Sequence, residues 1–169
     1  MVVGSARVGK TSLVQHFITG KFLPLKRTVG ADLSVYTRNF DNKINVKLQI
    51  WDFAGEAKYR AILPSYVKGA SGCLLCYDIT NYSSFYVLPE WYEIVSKKVD
   101  DLAFVLVGCK QDLRSNKHDI PESRAKEFAR DHDISFFCET SSKLGHKTDL
   151  PFTELIKQIL RKKHGIEFQ

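Results

Sequence analysis

The sequence lacks long hydrophobic runs and has little cysteine. No stretch approaches the roughly 18 consecutive apolar residues that a membrane-spanning helix needs, and the N-terminus lacks the layout of a signal peptide. The four cysteines are too few and too scattered for the disulfide framework of a small secreted domain. We therefore expect reduced thiols and a cytoplasmic protein.

Zinc-binding and nucleophilic motifs are missing as well. Cys73 and Cys76 have CxxC spacing, but no second pair completes a zinc site. Both lie in an apolar run typical of a strand, where residues three apart point to opposite faces, so a shared metal is not expected. The five histidines are scattered, and no Ser-His or Cys-His pattern indicates nucleophilic catalysis.

The sequence does contain enough apolar residues for one core. Its 169 residues, 44% of them hydrophobic, predict a single domain over 1–169 without repeat or linker. The formal net charge of +6 suits an anionic partner, although mixed surface charge explains it more simply. The basic residues near the C-terminus suit either an anionic membrane surface or the solvated face of a last helix. We expect a monomer that does not bind nucleic acid.

Short β-like runs alternate with helical stretches, which predicts an α/β fold with a largely parallel sheet. The predicted strands are Met1–Gly4, Asp32–Phe40, Lys43–Asp52, Gly72–Asp78, Phe104–Cys109 and Ile134–Glu139. The predicted helices are Lys10–Gly20, Ser83–Lys98, Pro121–His132 and Asp149–Lys163. Asp41-Asn42 is typical of a hairpin turn, so the second and third strands should be antiparallel. The first strand is short, and we expect that its start is missing.

A glycine-rich segment between the first strand and the first helix matches the GxxxxGK[ST] phosphate-loop motif. It reads Gly4-Ser5-Ala6-Arg7-Val8-Gly9-Lys10-Thr11. Such a loop turns backbone N–H groups toward phosphates, and the helix N-terminus adds its positive end. We expect Lys10 to neutralise the β- and γ-phosphates, Thr11 to offer its hydroxyl to Mg²⁺, and Ser12 to donate to the α-phosphate. The motif alone does not identify the base.

The base is expected to be read at the ends of two later strands. Asp112, in Cys109-Lys110-Gln111-Asp112, can accept hydrogen bonds from the N1–H and N2–H₂ donors of guanine, a pair that adenine lacks. The stem of Lys110 would cover the base. Glu139-Thr140-Ser141-Ser142-Lys143 would supply N–H groups to guanine O6. The position of these segments after strands, in register with the phosphate loop, favours a guanine nucleotide.

Together these segments resemble the motifs of the Ras superfamily of small GTPases, most closely its Rab-like branch, over essentially the whole chain. The matching segments are Trp51-Asp52-Phe53-Ala54-Gly55-Glu56, similar to WDTAGQE, Thr28-Val29-Gly30-Ala31-Asp32, similar to TIGxD, Cys109 to Leu113, similar to NKxDL, Glu139 to Lys143, similar to ETSAK, and Tyr66 to Thr80. The resemblance implies a six-stranded, mostly parallel sheet with one antiparallel strand and helices on both faces. It also implies a switch that binds GTP or GDP with Mg²⁺ and hydrolyses GTP slowly. Effector, activating and exchange proteins would act through its two switch regions, in vesicle traffic or related signalling.

The resemblance also assigns roles to matched residues. Thr28 would bind Mg²⁺ through its hydroxyl and the γ-phosphate through its N–H, while Asp52 would hold Mg²⁺ through water. The Gly55 N–H would contact the γ-phosphate, so loss of that phosphate would release both loops. Phe22 would stack on guanine, although the stretch from Phe22 to Thr28 is one residue shorter than in many relatives.

The predicted sites are therefore as follows. Nucleotide contacts are expected from Ser5, Ala6, Arg7, Val8, Gly9, Lys10, Thr11, Ser12, Phe22, Thr28, Gly55, Cys109, Lys110, Asp112, Leu113, Ser141, Ser142 and Lys143. Metal contacts are expected from Thr11, Thr28 and Asp52, and catalytic roles from Lys10, Thr28, Gly55 and Glu56.

Several positions depart from the family pattern. Glu56 replaces the water-positioning glutamine, and a carboxylate there can accept a proton from water but adds negative charge beside the phosphoryl group. Slow hydrolysis and a GTP-loaded binding module are both open. Cys109 replaces an asparagine that ties the guanine loop to the phosphate loop, and each lost hydrogen bond would cost about 1 kcal/mol. Arg7 and Arg27 can supply charge to the nucleotide or face solvent.

Three further questions stay open. Phe53 stands where threonine is usual and belongs either to the core or to a partner surface. The second switch is rich in aromatic and apolar residues, which form either an effector patch with Trp51 or an ordinary short helix; they are Tyr59, Ile62, Leu63 and Tyr66. The last cysteine is Cys138, so we expect no lipid anchor on this chain itself, and membrane attachment would need a missing tail or a partner. A phosphate-loop kinase of small substrates is disfavoured because Lys110 and Asp112 select guanine.

Overall fold

The computed structural model describes residues 1–24, 27–40, 44–99, 101–115 and 119–168. Its strands are β1 Val2–Val3, β2 Ala31–Phe40, β3 Ile44–Phe53, β4 Gly72–Asp78, β5 Ala103–Cys109 and β6 Phe136–Glu139. Its helices are α1 Lys10–Thr19, α2 Ala57–Arg60, α3 Leu63–Val67, α4 Tyr82–Tyr86, α5 Leu88–Ser96, α6 Glu122–Asp131 and α7 Leu150–His164, with a 3₁₀ turn at Gln111–Leu113.

The six strands form one sheet in the order β2-β3-β1-β4-β5-β6. The β2–β3 pair is antiparallel, in register from Ala31 opposite Phe53 to Phe40 opposite Ile44, and the other pairs are parallel. The predicted mixed sheet is therefore confirmed. The predicted hairpin turn at Asp41-Asn42 lies outside the described residues.

Helices cover both faces of the sheet, and β4 and β5 are therefore buried along their whole length. Side chains from α3, α5 and α6 pack on one face, and side chains from α1 and α7 pack on the other. Cys73 belongs to the first of these clusters and Cys76 to the second, as strand alternation predicts. In the described part of the chain, no helix is long and apolar enough to span a bilayer.

The predicted single helix over Ser83–Lys98 is wrong, because the structure has two helices, α4 and α5, that meet at Val87. Pro89 explains the break. Proline has no N–H to donate, and its ring would clash with the carbonyl four residues earlier, at Phe85, in a continuous helix. The first turn of a new helix accepts it. The other predicted elements agree with the structure within two residues at each end.

Phe53 belongs to the core. Its side chain is 1% exposed, and its ring packs edge-on against Tyr66 with centroids 5.3 Å apart. The position at the end of β3 faces the cluster beneath α3 and α5. The core interpretation of this residue is confirmed.

We predict that Phe53→Ala lowers the free energy of unfolding by about 3–5 kcal/mol, because it removes a buried ring and leaves a cavity. Urea-induced unfolding measures the loss. Phe22→Ala is the matched control, since Phe22 is 52% exposed and the same truncation there should cost about 0.5 kcal/mol or less. Equal losses in the two variants would contradict the core assignment.

Candidate functional site

The phosphate loop lies between β1 and α1 and is shaped by two glycines. Gly4 has φ +136°, and a Cβ there would lie 2.0 Å from the carbonyl oxygen of Cys76 on β4. Gly9 has φ +116° and begins α1. Between them, the Val8 side chain is 1% exposed and belongs to the core cluster under α1. The motif therefore occupies the strand–loop–helix position that the sequence predicts.

Lys10 spans the inside of this loop. Its Nζ donates to the carbonyl oxygens of Gly4 (2.9 Å) and Ser5 (2.7 Å). The side chain is buried, and this burial lowers the pKa of Lys10 while the Asp52 carboxylate opposes the shift. The structure thus holds a nearly buried amino group where the motif's lysine meets the β- and γ-phosphates.

Three predicted metal residues come together from separate segments. The Thr11 hydroxyl donates to Asp52 Oδ2 and lies 2.8 Å from the hydroxyl of Thr28. Asp52 is 3% exposed, and among the described residues its Oδ1 has no hydrogen-bond partner. Burial raises the pKa of Asp52, and the Thr11 hydrogen bond and the Lys10 charge oppose this rise. Two hydroxyls and a carboxylate with a spare oxygen fit Mg²⁺, which takes oxygen ligands and keeps several waters.

A cleft of about 380 Å³ opens between the phosphate loop and the segments around Thr28 and Gly55. Ten predicted site residues line it. They are Ala6, Arg7, Gly9, Lys10, Thr11, Ser12, Thr28, Gly55, Glu56 and Lys110. Arg27 also lines the cleft.

Gly55 is required by close approach of two backbones. A Cβ on Gly55 would lie 2.1 Å from the carbonyl carbon of Ser5 and 2.2 Å from the nitrogen of Ala6. The segment after β3 therefore lies directly against the phosphate loop. A larger residue at this position would separate the two.

Glu56 forms an ion pair with Arg27. The Arg27 Nε lies 2.5 Å from Glu56 Oε1, and the side chains of Arg27 and Glu56 are 65% and 16% exposed. This hydrogen bond is the main reason that the pKa of Glu56 lies below its usual value. Arg27 therefore pairs with the Glu56 carboxylate. The sequence analysis missed this ion pair, although the opposite charges on two segments of one predicted site could have indicated it.

The two segments that are predicted to read guanine also meet. Asp112 Oδ1 accepts a hydrogen bond from the Ser141 hydroxyl (2.5 Å), and the Gln111 N–H donates to the carbonyl of Thr140 (2.9 Å). The Ser141 N–H donates to the carbonyl of His146 (3.0 Å), within its own loop. The structure thus brings Asp112 and Ser141 together at the carboxyl ends of β5 and β6.

Lys110 is held by a residue that sequence reasoning did not select. Its Nζ lies 2.6 Å from Asp78 Oδ2 at the end of β4. The other oxygen, Oδ1, accepts hydrogen bonds from the N–H (2.9 Å) and hydroxyl (2.7 Å) of Thr80. Asp78 therefore fixes the direction of the lysine stem. Its place at the end of a buried strand was the signal that could have found it.

Cys109 packs beneath the phosphate loop. It is 3% exposed, and a Cβ on Gly9 would lie 3.3 Å from the Cys109 Cβ and 3.7 Å from its Sγ. The neighbouring Cys109 thiol and burial raise the pKa of Cys76. Cys109 therefore leaves little room for a side chain at Gly9.

Other predicted contacts lie at the margins of the site. Phe22 and Leu113 are about half exposed, at 52% and 51%, while Ser142 is partly buried and Lys143 exposed.

The second switch has both buried and exposed apolar residues, and a role of the exposed ones in effector binding stays a prediction. Leu63 is buried in the core, whereas Ile62 and Tyr66 are 37% and 40% exposed. Tyr66 also contacts the Trp51 ring, with centroids 5.1 Å apart.

Arg7 adopts a left-handed backbone conformation, with φ +63°. We predict that Arg7→Gly has a free energy of unfolding about 1 kcal/mol higher than Arg7→Ala, because glycine adopts this conformation without the steric cost of a Cβ. Both variants lose the same charge, so their difference in urea-induced unfolding isolates the backbone effect. Equal stabilities would show that the loop does not hold this conformation in solution.

Comparison with known proteins agrees with this geometry. The model of the Ras family matches residues 1–161. The chain is 37% identical over 161 residues to Ras-related protein Rab11A of Lotus japonicus, covering 94% of this chain and 70% of that protein. It is 38% identical over 164 residues to Rab-2B of Dictyostelium discoideum, covering 96% and 80%, and 38% identical over 162 residues to Rab-30 of Homo sapiens, covering 95% and 78%. The chain therefore belongs to the Ras family and is a Rab-like small GTPase.

Proposed function

We propose that this chain is a molecular switch that binds GTP or GDP with Mg²⁺, hydrolyses GTP slowly and changes its surface between the two states. The convergence of Thr11, Thr28 and Asp52 carries the proposal. Because these residues come from the helix start, the segment before β2 and the end of β3, a ligand that holds them together controls the positions of separate segments.

The metal site is assigned to the same three residues. The hydroxyls of Thr11 and Thr28 would hold Mg²⁺ directly, and Asp52 would hold it through water. The ion would supply positive charge to the β- and γ-phosphates. Lys10 adds a second cation from within the loop, and the loop N–H groups orient the phosphates.

The base is assigned to the second group of residues. The Asp112 carboxylate accepts from the N1–H and N2–H₂ donors of guanine, and Ser141 orients that carboxylate with its hydroxyl. Lys110, directed by Asp78, covers the base with its stem. The N–H groups of Ser142 and Lys143 donate to guanine O6.

Glu56 is assigned to the attacking water. Its carboxylate orients the water and is a weak proton acceptor because its pKa is lowered by Arg27, while Gly55 contributes its N–H to the γ-phosphate. Turnover without an activating protein is on the order of 10⁻⁴ to 10⁻³ per second in this class. The second candidate is a GTP-loaded module, favoured by the extra negative charge that Glu56 brings to the site.

Loss of the γ-phosphate would release the segments at Thr28 and Gly55. Effector, activating and exchange proteins would read this change, and the exposed Tyr66 and Ile62 beside Trp51 provide an apolar surface for them. By analogy with the Rab proteins that the chain resembles, we place the switch in vesicle traffic, as a monomer. It would join a membrane only through a further tail or a partner.

We predict that the purified chain, loaded with GTP, forms GDP in a single-turnover assay followed by chromatography. Glu56→Gln should be about five- to tenfold faster, because it removes negative charge beside the phosphoryl group. Glu127→Gln on α6 is the control for net charge and should match the natural chain. Persistent GTP in the natural chain would favour the loaded module, and equal rates with Glu56→Gln would exclude a role for the carboxylate.

Asp112→Asn tests the base assignment. An amide presents a donor where guanine requires an acceptor, so guanine affinity should fall and xanthine affinity should rise, each by about tenfold or more. Displacement of a fluorescent nucleotide by GDP or XDP measures both. Lys10→Ala, which removes a phosphate partner, should instead weaken both bases alike. Unchanged GDP affinity in Asp112→Asn would overturn the assignment.

A further inference from the structure

The Arg27–Glu56 ion pair closes one side of the cleft. Arg27 directly precedes Thr28, whose hydroxyl meets Thr11, and Glu56 directly follows Gly55, whose backbone lies against the phosphate loop. The pair joins the two segments with a contact of 2.5 Å between Arg27 Nε and Glu56 Oε1. Both side chains line the cleft.

The pair lies at the end of the cleft that receives the terminal phosphate. Glu56 lines the same cleft as Lys10, and the motif's lysine reaches the β- and γ-phosphates. Asp112 and Ser141, which are proposed to read the base, lie in the segments that follow β5 and β6. A change from diphosphate to triphosphate therefore adds negative charge on the side of Glu56.

One oxygen of the Glu56 carboxylate is shielded from solvent. Its side chain is 16% exposed, and within the described ranges its Oε2 is buried without a hydrogen-bond partner. An unpaired carboxylate in such a place repels a further phosphate. Arg27 offsets this repulsion more directly than Lys58 or Lys10. Among the cationic side chains near Glu56 in the described structure, Arg27 is the one that adds a direct hydrogen bond to its charge.

We propose that Arg27 sets the preference of this site for a nucleoside triphosphate over a diphosphate, by neutralising Glu56. The inference rests on the proposed function, since it requires a guanine nucleotide in the cleft. Arg27 acts through Glu56 and is a specificity-determining residue. With the ion pair in place, the site accepts the third phosphate in spite of the acidic residue; without it, the diphosphate is favoured.

The test compares the natural chain with Arg27→Gln, Glu56→Gln and the double variant. Affinities for GDP and for a non-hydrolysable GTP analogue are measured by displacement of fluorescent GDP at fixed Mg²⁺. Arg27→Gln should weaken binding of the GTP analogue about fivefold relative to GDP, a modest effect suited to a partly exposed pair. In the Glu56→Gln background, loss of Arg27 should leave the ratio of the two affinities unchanged.

Arg124→Gln is the matched control, because Arg124 is similarly exposed, at 58%, and pairs with Glu127 on α6. It should leave both affinities unchanged. Equal weakening of GDP and the GTP analogue in Arg27→Gln would indicate a purely structural role and overturn the proposal. A loss that persists in the Glu56→Gln background would overturn it too, since Arg27 would then contact the phosphate itself. Failure of the natural chain to bind GDP would instead overturn the proposed function.

Discussion

The hydrogen bond from the Thr11 hydroxyl to the Asp52 carboxylate ties the start of α1 to the end of β3. Thr28 joins the same group through its own hydroxyl. This contact fixes three segments of the chain around one buried carboxylate, and the cleft exists between them. Asp52 keeps one oxygen without a partner in the described structure, which is costly for a buried polar atom unless a ligand uses it. Among the described residues, two of the buried polar atoms without a partner, Asp52 Oδ1 and Glu56 Oε2, thus lie where a cation and phosphates would be bound.

Sequence reasoning succeeded where the information is local. The phosphate loop is contiguous, so its spacing alone placed Gly4, Gly9 and Lys10 between a strand and a helix. The nearly continuous apolar runs of β4 and β5 were equally easy to recognise, because a strand buried on both faces has few polar positions. The single helix predicted over Ser83–Lys98 failed because its apolar pattern continues across Pro89, which prevents the continuous backbone.

Contacts between distant segments could not be predicted in the same way. Arg27 and Glu56 are 29 positions apart, and Lys110 meets Asp78 only because β4 and β5 are neighbours in the sheet. Such pairs depend on the path of the connecting loops, and many opposite charges in the sequence would fit equally well. Strand order narrows the choice for Lys110, since neighbouring parallel strands end at the same edge. No such rule exists for two loops.

The backbone of the phosphate loop packs closely against the backbone of two other segments, one on β4 and one after β3. Gly4 passes under the Cys76 carbonyl, and Gly55 presses on Ser5 and Ala6. Neither contact uses a side chain of Ser5, Ala6 or Arg7, whereas Val8 is buried in the core and Lys10 binds the loop carbonyls. Arg7 is exposed at the crest of the loop, so its side chain can change, provided that the new residue tolerates the left-handed backbone. A substitution at the crest can therefore change the charge beside the anion-binding loop while the backbone contacts that shape the loop are kept.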